Sequence, residues 1–187
     1  MISFNEIEKG VAIIMDGQPY EVLEAAKMFK GRGHSTLQVK LKNLISGSVV
    51  SRNFHASDSF KEAEISREKT KFLYTSKGQY FFCGLENPSQ RFSLPAAQIV
   101  EEIKFLKANE TVESLVFEGQ PVSIILPVKV ALKVVEAPPG VQGSRSQPGM
   151  KTVVLETGAN INTPPFIEEG DVVEINTEKQ EYVRRVD

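Results

Sequence analysis

Two-residue turns that contain glycine divide the sequence into short apolar runs, and this pattern is typical of a chain of β-hairpins. Asp16-Gly17 joins "VAIIM" to "QPYEVLEAA", and Lys77-Gly78 joins "KFLYTS" to "QYFFCG". Such pairs tolerate the positive φ angles that tight hairpin turns require. The run "ESLVFEGQPVSIILP" repeats the first arrangement, including its Gly-Gln-Pro. The sequence therefore predicts an all-β fold.

Strict alternation defines one strand and its two faces. In "TLQVKLKNL", the apolar residues Leu37, Val39 and Leu41 alternate with polar residues that include Lys40 and Lys42. Successive side chains of a strand point to opposite faces of the sheet. We expect the apolar face to pack inward and both lysines to face solvent or a partner.

Two breaks in the strand pattern divide the chain into three modules. The polar stretch "DSFKEAEISREKTK" marks a first boundary near residue 64, and a second follows "SIILP" near Val128. The predicted domains are residues 1–64, 65–128 and 129–187. Each has the size of a small β-barrel, a class that binds nucleic acid through strand faces and loops.

One segment has helical rather than strand spacing. In "PAAQIVEEIKFLKAN", Ile99, Ile103 and Leu106 recur at intervals of three or four residues, and Pro95 fits the first turn of a helix. The spacing predicts one helix over residues 95–109.

Charge is distributed unevenly along a chain whose net charge is only −2. No Asp or Glu occurs from residue 25 to residue 57, and six bases lie there: Lys27, Lys30, Arg32, Lys40, Lys42 and Arg52. We expect Arg52 to point outward from its strand and the basic strand faces to share one surface with the glycine loop. The segment indicates a localised polyanion contact. The alternative is an ordinary solvated strand face.

The stretch "KMFKGRGHST" places Arg32 between Gly31 and Gly33. Flanking glycines allow a sharp turn and a close approach to another surface. Arginine stays charged, offers five donors and stacks on bases, so this tip suits an RNA contact. A solubilising surface arginine is the alternative. A phosphate cradle of the strand-to-helix type is excluded because a strand follows.

A second glycine- and proline-rich stretch, "PPGVQGSRSQPGM", carries one base, Arg145. Such a loop buries no core, and composition alone leaves it either a connector or a binding loop.

Catalytic and metal-binding patterns are missing from the sequence. Its two histidines, His34 and His55, belong to no metalloprotease, nucleophile-elbow or Walker motif, and the single cysteine, Cys83, lies in an apolar run. An enzyme built on Glu101 and Glu102 is the alternative, but on a helix these neighbours would point about 100° apart. We predict a protein with no cofactor and no metal. No apolar run is long enough to span a bilayer, so a cytoplasmic location is expected.

The sequence as a whole resembles bacterial elongation factor P. The resemblance is carried by "GQPYEV", by the glycine-flanked tip followed eight residues later by "KLKNLISGSVV", and by "TVVLETGANINTPPFIEEGDVVEINTEKQEYVRRV". It implies three barrels arranged in an L shape: an N-terminal KOW-like (SH3-like) barrel and two OB-fold barrels. It also implies a monomeric, non-enzymatic factor that binds the 70S ribosome between the peptidyl-tRNA site and the exit site and promotes peptide bond formation at runs of proline.

The resemblance also implies roles for individual residues. Arg32, within the tip loop 29–35, takes the position that reaches the acceptor end of the peptidyl-tRNA, supported by Lys30, Gly31, Gly33 and His34. Contacts to the RNA backbone are expected from Lys27, Lys40, Lys42, Arg52, Arg145, Tyr182 and Arg185. Alternation in "EYVRRV" would equally make Tyr182 a packing residue.

Two departures from the family pattern bear on these roles. Many relatives have Pro-Gly-Lys-Gly at the tip, with a modified lysine, whereas this chain has Lys30-Gly31-Arg32-Gly33. Arg32 is either rhamnosylated by a tip-modifying enzyme, as in one branch of the family, or bare. In the third domain, Gly143-Ser144-Arg145 replaces the usual Gly-Asp. A divergent paralogue that binds ribosomes or structured RNA without relieving proline stalls is therefore the alternative function.

Overall fold

The structure, a computed structural model, describes residues 1–28, 36–138 and 149–186. Within these ranges the chain forms sixteen β-strands and three short 3₁₀ helices and contains no α-helix. The strands form three antiparallel sheets, and the all-β prediction is confirmed.

The N-terminal sheet has six strands in the order β1-β6-β2-β3-β4-β5. These are β1 (Ile2–Ser3), β2 (Ala12–Met15), β3 (Gln18–Met28), β4 (Thr36–Asn43), β5 (Val49–His55) and β6 (Ser59–Glu62). A 3₁₀ helix, Phe4–Glu6, follows β1. The inward residues of β4 are buried as predicted, and they pack with Ile13 and Val22 into one core.

The central and C-terminal sheets have five strands each and the same topology. The central sheet runs β11-β10-β7-β8-β9, and the C-terminal sheet runs β14-β13-β12-β15-β16. Numbered within each sheet, both have the order 3-2-1-4-5. The central strands are β7 (Ile65–Ser76), β8 (Gln79–Gly84), β9 (Arg91–Pro95), β10 (Thr111–Phe117) and β11 (Gln120–Ile125). The C-terminal strands are β12 (Lys129–Glu136), β13 (Lys151–Leu155), β14 (Asn160–Thr163), β15 (Val172–Asn176) and β16 (Glu181–Val186).

The predicted two-residue hairpin turns are confirmed. Asp16 and Gly17 have φ angles of 52° and 76°, and Lys77 and Gly78 have 50° and 73°. Positive φ at both central positions is the signature of a type I′ turn, whose twist matches that of the flanking strands. The membership of the sheets changes between Glu62 and Ile65 and again between Ile125 and Lys129. The domain limits at residues 64 and 128 stay predictions.

The helix predicted over residues 95–109 is wrong. The segment forms two 3₁₀ helices, Ala96–Gln98 and Glu102–Phe105, and Ile99 between them has φ −126° and ψ 38°, outside the helical region. Tertiary packing overrides the local spacing. Ile99 is buried in the central core, whereas Phe105 is buried in the C-terminal core. A regular helix would present its apolar side chains along one stripe, whereas here they enter two different cores.

Candidate RNA-facing site

Strands β3 and β4 form the arm that carries the predicted tip. Their ladder runs from the pair Tyr20 and Asn43 to the pair Met28 and Thr36. Both ends of the segment 29–35 are therefore attached to paired strands. Lys30, Gly31, Arg32, Gly33 and His34 lie outside the described residues, and so does Arg145 in the third module.

The basic residues of the N-terminal sheet do not share one face. Residues directly opposite each other on neighbouring strands project from the same face of a sheet. Lys27 lies opposite Leu37, and Arg52 lies opposite Val39. Leu37 and Val39 are buried in the core, so Lys27 and Arg52 project from the core side of the sheet, where both are exposed at its margin. The prediction that Arg52 points outward is wrong, because it lies on the edge strand β5 on the inward face.

Lys40 projects from the opposite face of β4. It lies across from Glu24 on β3, and its Nζ is 3.4 Å from Glu24 Oε1. Both side chains are exposed, and an exposed pair of this kind contributes little to stability. Lys40 therefore remains available for a phosphate, but on the face opposite to Lys27 and Arg52. The prediction of a single basic surface is wrong, because Lys27 and Arg52 lie on one face of the sheet and Lys40 lies on the other.

Lys42 is not an RNA-facing residue. It is only 8% exposed, and its Nζ lies 2.5 Å from Glu102 Oε1. The prediction that it faces solvent or a partner is wrong, because the segment between β9 and β10 covers this end of the outward face of β4. The contact also separates the two carboxylates considered for catalysis. Glu102 binds Lys42, whereas Glu101 accepts hydrogen bonds from Lys104 and Gln180.

Lys42 belongs to a joint between the N-terminal and central sheets. The Gln98 side-chain amide donates to the backbone carbonyls of Leu44, at 2.9 Å, and of Val122. Gly47 has φ +74°, and a Cβ there would meet the Gln98 Cα at 2.7 Å, so no larger residue fits without a shift of the backbone. We call Lys42, Glu102, Gln98, Leu44 and Gly47 the first joint. The sequence analysis did not predict this role of Gln98. The available signal was a single amide side chain among apolar residues.

Glu21 lies beside the first joint, directly opposite Lys42 in the ladder. Burial raises the pKa of the Glu21 carboxyl, the attraction of Lys42 opposes this effect, and the repulsion of Glu102 adds to it. A cleft of about 860 Å³ beside Glu21 is lined by further acids: Glu6, Glu62, Glu64 and Glu118. Its charge is wrong for a nucleic-acid backbone.

A second joint connects the central and C-terminal sheets. Phe105 is 2% exposed and packs in the C-terminal core. Around it, Thr157 Oγ1 donates to the Lys104 carbonyl at 2.6 Å, and Lys107 Nζ lies 2.9 Å from Glu156 Oε1. We call Phe105, Thr157, Lys107 and Glu156, with the Lys104 carbonyl, the second joint.

The two remaining predicted contacts lie on the last strand. Tyr182 is partly buried and packs against the C-terminal core, which supports the packing interpretation of this residue. Arg185 is exposed, and its Nη1 lies 3.7 Å from Asp171 Oδ2. The loosely held guanidinium of Arg185 is the stronger candidate for an RNA contact.

Two further kinds of site are absent from the part of the chain that the structure describes. None of its helices is long and apolar enough to cross a membrane. No group of three or more His, Cys, Asp or Glu side chains is placed to hold a metal ion, again among residues 1–28, 36–138 and 149–186.

Family models match almost the whole of this chain. Three family models match it: the elongation factor P KOW-like domain over residues 3–60, the elongation factor P OB domain over residues 65–124, and the elongation factor P C-terminal domain over residues 130–185. A solved structure of a eukaryotic translation initiation factor 5A from Methanococcus jannaschii aligns with 66% of this chain and 92% of that chain, at 17% identity and a TM-score of 0.46.

Curated relatives give the same assignment as the three family models. Elongation factor P of Moorella thermoacetica is 40% identical over 185 residues, which cover 99% of this chain and 100% of that protein. Elongation factor P of Thermotoga maritima has the same identity and coverage, and that of Natranaerobius thermophilus is 36% identical over 100% of this chain and 98% of its own length. With its three sheets matched in order by the three family models, the chain belongs to the elongation factor P family of translation elongation factors.

Proposed function

We propose that this chain binds the 70S ribosome between the peptidyl-tRNA site and the exit site, and that it promotes peptide bond formation when consecutive prolines stall synthesis. The observation that carries the proposal is 40% identity to elongation factor P over 99% of the chain. Its partners are ribosomal RNA and the peptidyl-tRNA in the P site. The factor acts in the cytoplasm as a monomer, is not an enzyme and uses no cofactor.

The arm formed by β3 and β4 supports this function because cations lie on and next to the strands that flank residues 29–35. Arg32 lies between the strand ends at Met28 and Thr36, and Lys27 and Arg52 project from one face nearby. Arginine and lysine bind phosphate oxygens and so fix the position of an RNA without reading its sequence. Prolyl substrates react slowly because the ring restricts the chain. Holding the peptidyl-tRNA in a reactive geometry lowers the entropic barrier, and the ribosome supplies the chemistry.

The remaining residues take supporting roles in this proposal. Three domains, 1–64, 65–128 and 129–187, span the distance between the two ends of the tRNA. Arg185 and Arg145, in the last of them, contact the RNA backbone near the exit site. Arg32 is the site for a tip-modifying enzyme if the protein is modified.

A reconstituted translation reaction on a message with consecutive proline codons tests the proposal. Protein purified from its native host should relieve the stall, and Arg32→Ala should lose most of that relief while still binding ribosomes. Arg67→Ala is the matched control, because Arg67 is an exposed arginine paired with Glu113 on the central sheet. Its relief should be unchanged. Ribosome binding without relief from the unaltered protein would contradict the proposal and favour the divergent paralogue.

A further inference from the structure

A partly exposed aromatic pair lies on the outward face of the central sheet. Tyr74 on β7 is directly opposite Phe81 on β8, and their rings stack with centroids 4.8 Å apart and an interplanar angle of 19°. Tyr74 is 51% exposed. The inward face of the same strands is already filled, since Phe82 packs there between Phe72 and Phe92. The outward pair is therefore not part of the central core.

The neighbouring row on this face carries one cation on each side of the buried Cys83. Lys71, Cys83 and Arg91 lie opposite one another on β7, β8 and β9. No acidic group of the described residues lies within ion-pair distance of Lys71 or Arg91. We call Tyr74, Phe81, Lys71 and Arg91 the aromatic face. An exposed tyrosine ring that stacks on a half-buried phenylalanine, beside unopposed cations, suits single-stranded nucleic acid, because a base stacks on the ring and phosphates pair with the cations.

The aromatic face also occupies the position at which OB folds take oligonucleotides. That position is the outward face of the second and third strands, next to the loop between the first two. In the central sheet these are β8 and β9, and Lys77 lies in the turn between β7 and β8.

The C-terminal sheet provides an internal comparison, because it has the same strand order. On its second and third strands the outward pairs are Thr152 with Asn162 and Val154 with Asn160. Thr152 Oγ1 and Asn162 Oδ1 lie 2.8 Å apart, so these side chains engage each other. Within the described residues the second and third strands carry neither a ring nor a charge on this face, and the first strand carries an acid, Glu136, directly opposite Val154. The topology alone does not require an aromatic pair, and its presence on one sheet indicates a separate role.

We propose that the aromatic face binds one or two unpaired bases of single-stranded RNA, with Lys71 and Arg91 on the adjoining phosphates. The site lies in a different module from Arg32 and does not depend on the tip. Only the identification of its ligand as ribosomal RNA rests on the proposed function.

The absence of tryptophan from the chain allows a direct test. Tyr74→Trp keeps an aromatic ring on the face and makes it the single tryptophan reporter. Titration of the full chain with an oligoadenylate of about eight nucleotides at low salt should quench its fluorescence saturably. Val154→Trp, on the equivalent face of the C-terminal sheet, is the matched control and should not respond. Adding Lys71→Gln and Arg91→Gln to Tyr74→Trp should weaken binding about tenfold or more and flatten its salt dependence.

A second measurement removes dependence on the tryptophan variants. Fluorescence anisotropy of a labelled oligoadenylate should show that Tyr74→Leu weakens binding about tenfold, while Arg67→Ala leaves binding unchanged. Melting curves establish that each variant is folded. Equal quenching of Tyr74→Trp and Val154→Trp, or equal affinity of Tyr74→Leu and the unaltered chain, would overturn the proposal. A Tyr74→Trp signal that responds to ribosomal protein but to no RNA would overturn it in favour of a protein surface. If Tyr74→Leu loses oligoadenylate binding but still relieves the proline stall, the aromatic face binds RNA independently of the proposed function, which is then unaffected.

Discussion

The first and second joints lie on either side of the same short segment but are stabilised by different physical chemistry. The first joint holds the N-terminal sheet through a nearly buried ion pair and an amide that spans two carbonyls. The second holds the C-terminal sheet through one buried ring, with partly exposed polar contacts around it. Charged and amide hydrogen bonds are directional, whereas apolar burial is not. We infer that the first joint fixes the orientation of the arm and that the second mainly contributes stability.

The largest effect is expected from the ring of the second joint. Phe105→Ala removes a buried aromatic side chain and leaves a cavity, which should lower the free energy of unfolding by about 3–5 kcal/mol. Phe105→Leu keeps most of the volume and should cost clearly less. Denaturant unfolding of both variants measures the difference. Equal losses for Ala and Leu would show that ring burial is not what stabilises this joint.

The ion pair of the first joint should give the next largest effect. Lys42→Met leaves the Glu102 carboxylate without its partner in a nearly buried site and should cost about 3 kcal/mol. Because the desolvation of both charges is then avoided, Lys42→Met combined with Glu102→Leu should recover most of that loss. Lys107→Ala, at the exposed pair of the second joint, should cost less than about 1 kcal/mol. A double variant as unstable as Lys42→Met alone would contradict the assignment.

The amide of the first joint should have a smaller effect. Gln98→Leu leaves the carbonyls of Leu44 and Val122 without a donor, at a cost of about 2 kcal/mol. Gln98→Glu is the more informative variant, because a carboxylate presents only acceptors to the two carbonyls. It should destabilise the protein more than Gln98→Leu does. Thermal unfolding ranks the two. If Gln98→Glu were the more stable variant, the hydrogen bonds of the amide would not be what holds the joint.

The smallest effect concerns pH. Burial raises the folded-state pKa of Glu21, so its charged form is disfavoured in the folded protein. Stability is therefore lost as the pH rises from the ordinary glutamate pKa through the raised folded value. Glu21→Gln should raise the melting temperature at pH 7, and its advantage should shrink as the pH falls toward the ordinary value. If the difference in melting temperature between Glu21→Gln and the unaltered protein were the same at every pH in that range, the ionisation of Glu21 would not contribute to stability.

The sequence predicted those features that depend on neighbouring residues. The type I′ turns at Asp16-Gly17 and Lys77-Gly78 follow from the residues at the turn itself, and the inward face of β4 follows from alternation. Alternation says which side chains share a face, but it does not say what covers that face. Lys42 was misassigned for this reason, because its cover comes from residues about sixty positions further along the chain.

The same distinction explains one other error. The spacing of residues 95–109 fits a helix, but its apolar residues belong to more than one core, which only the tertiary structure reveals. Arg52 is a different kind of error, because its alternation with Val50 and Phe54, which pack in the N-terminal core, places it on the inward face, and it is exposed on the edge strand β5. The role predicted for Arg32 came from resemblance to a family, because the glycine-flanked arginine alone also fits a solubilising tip.

The most direct test of the central claim is the single-turnover rate of peptide bond formation between consecutive prolines on purified ribosomes. We predict that the unaltered protein accelerates this step and that Arg32→Ala loses most of the acceleration at saturating concentration. The double variant Lys42→Met, Glu102→Leu restores stability but lacks the directional ion pair. It should therefore lose part of the acceleration. Equal acceleration by all three proteins would contradict the account, because neither the tip nor the orientation of the arm would then contribute.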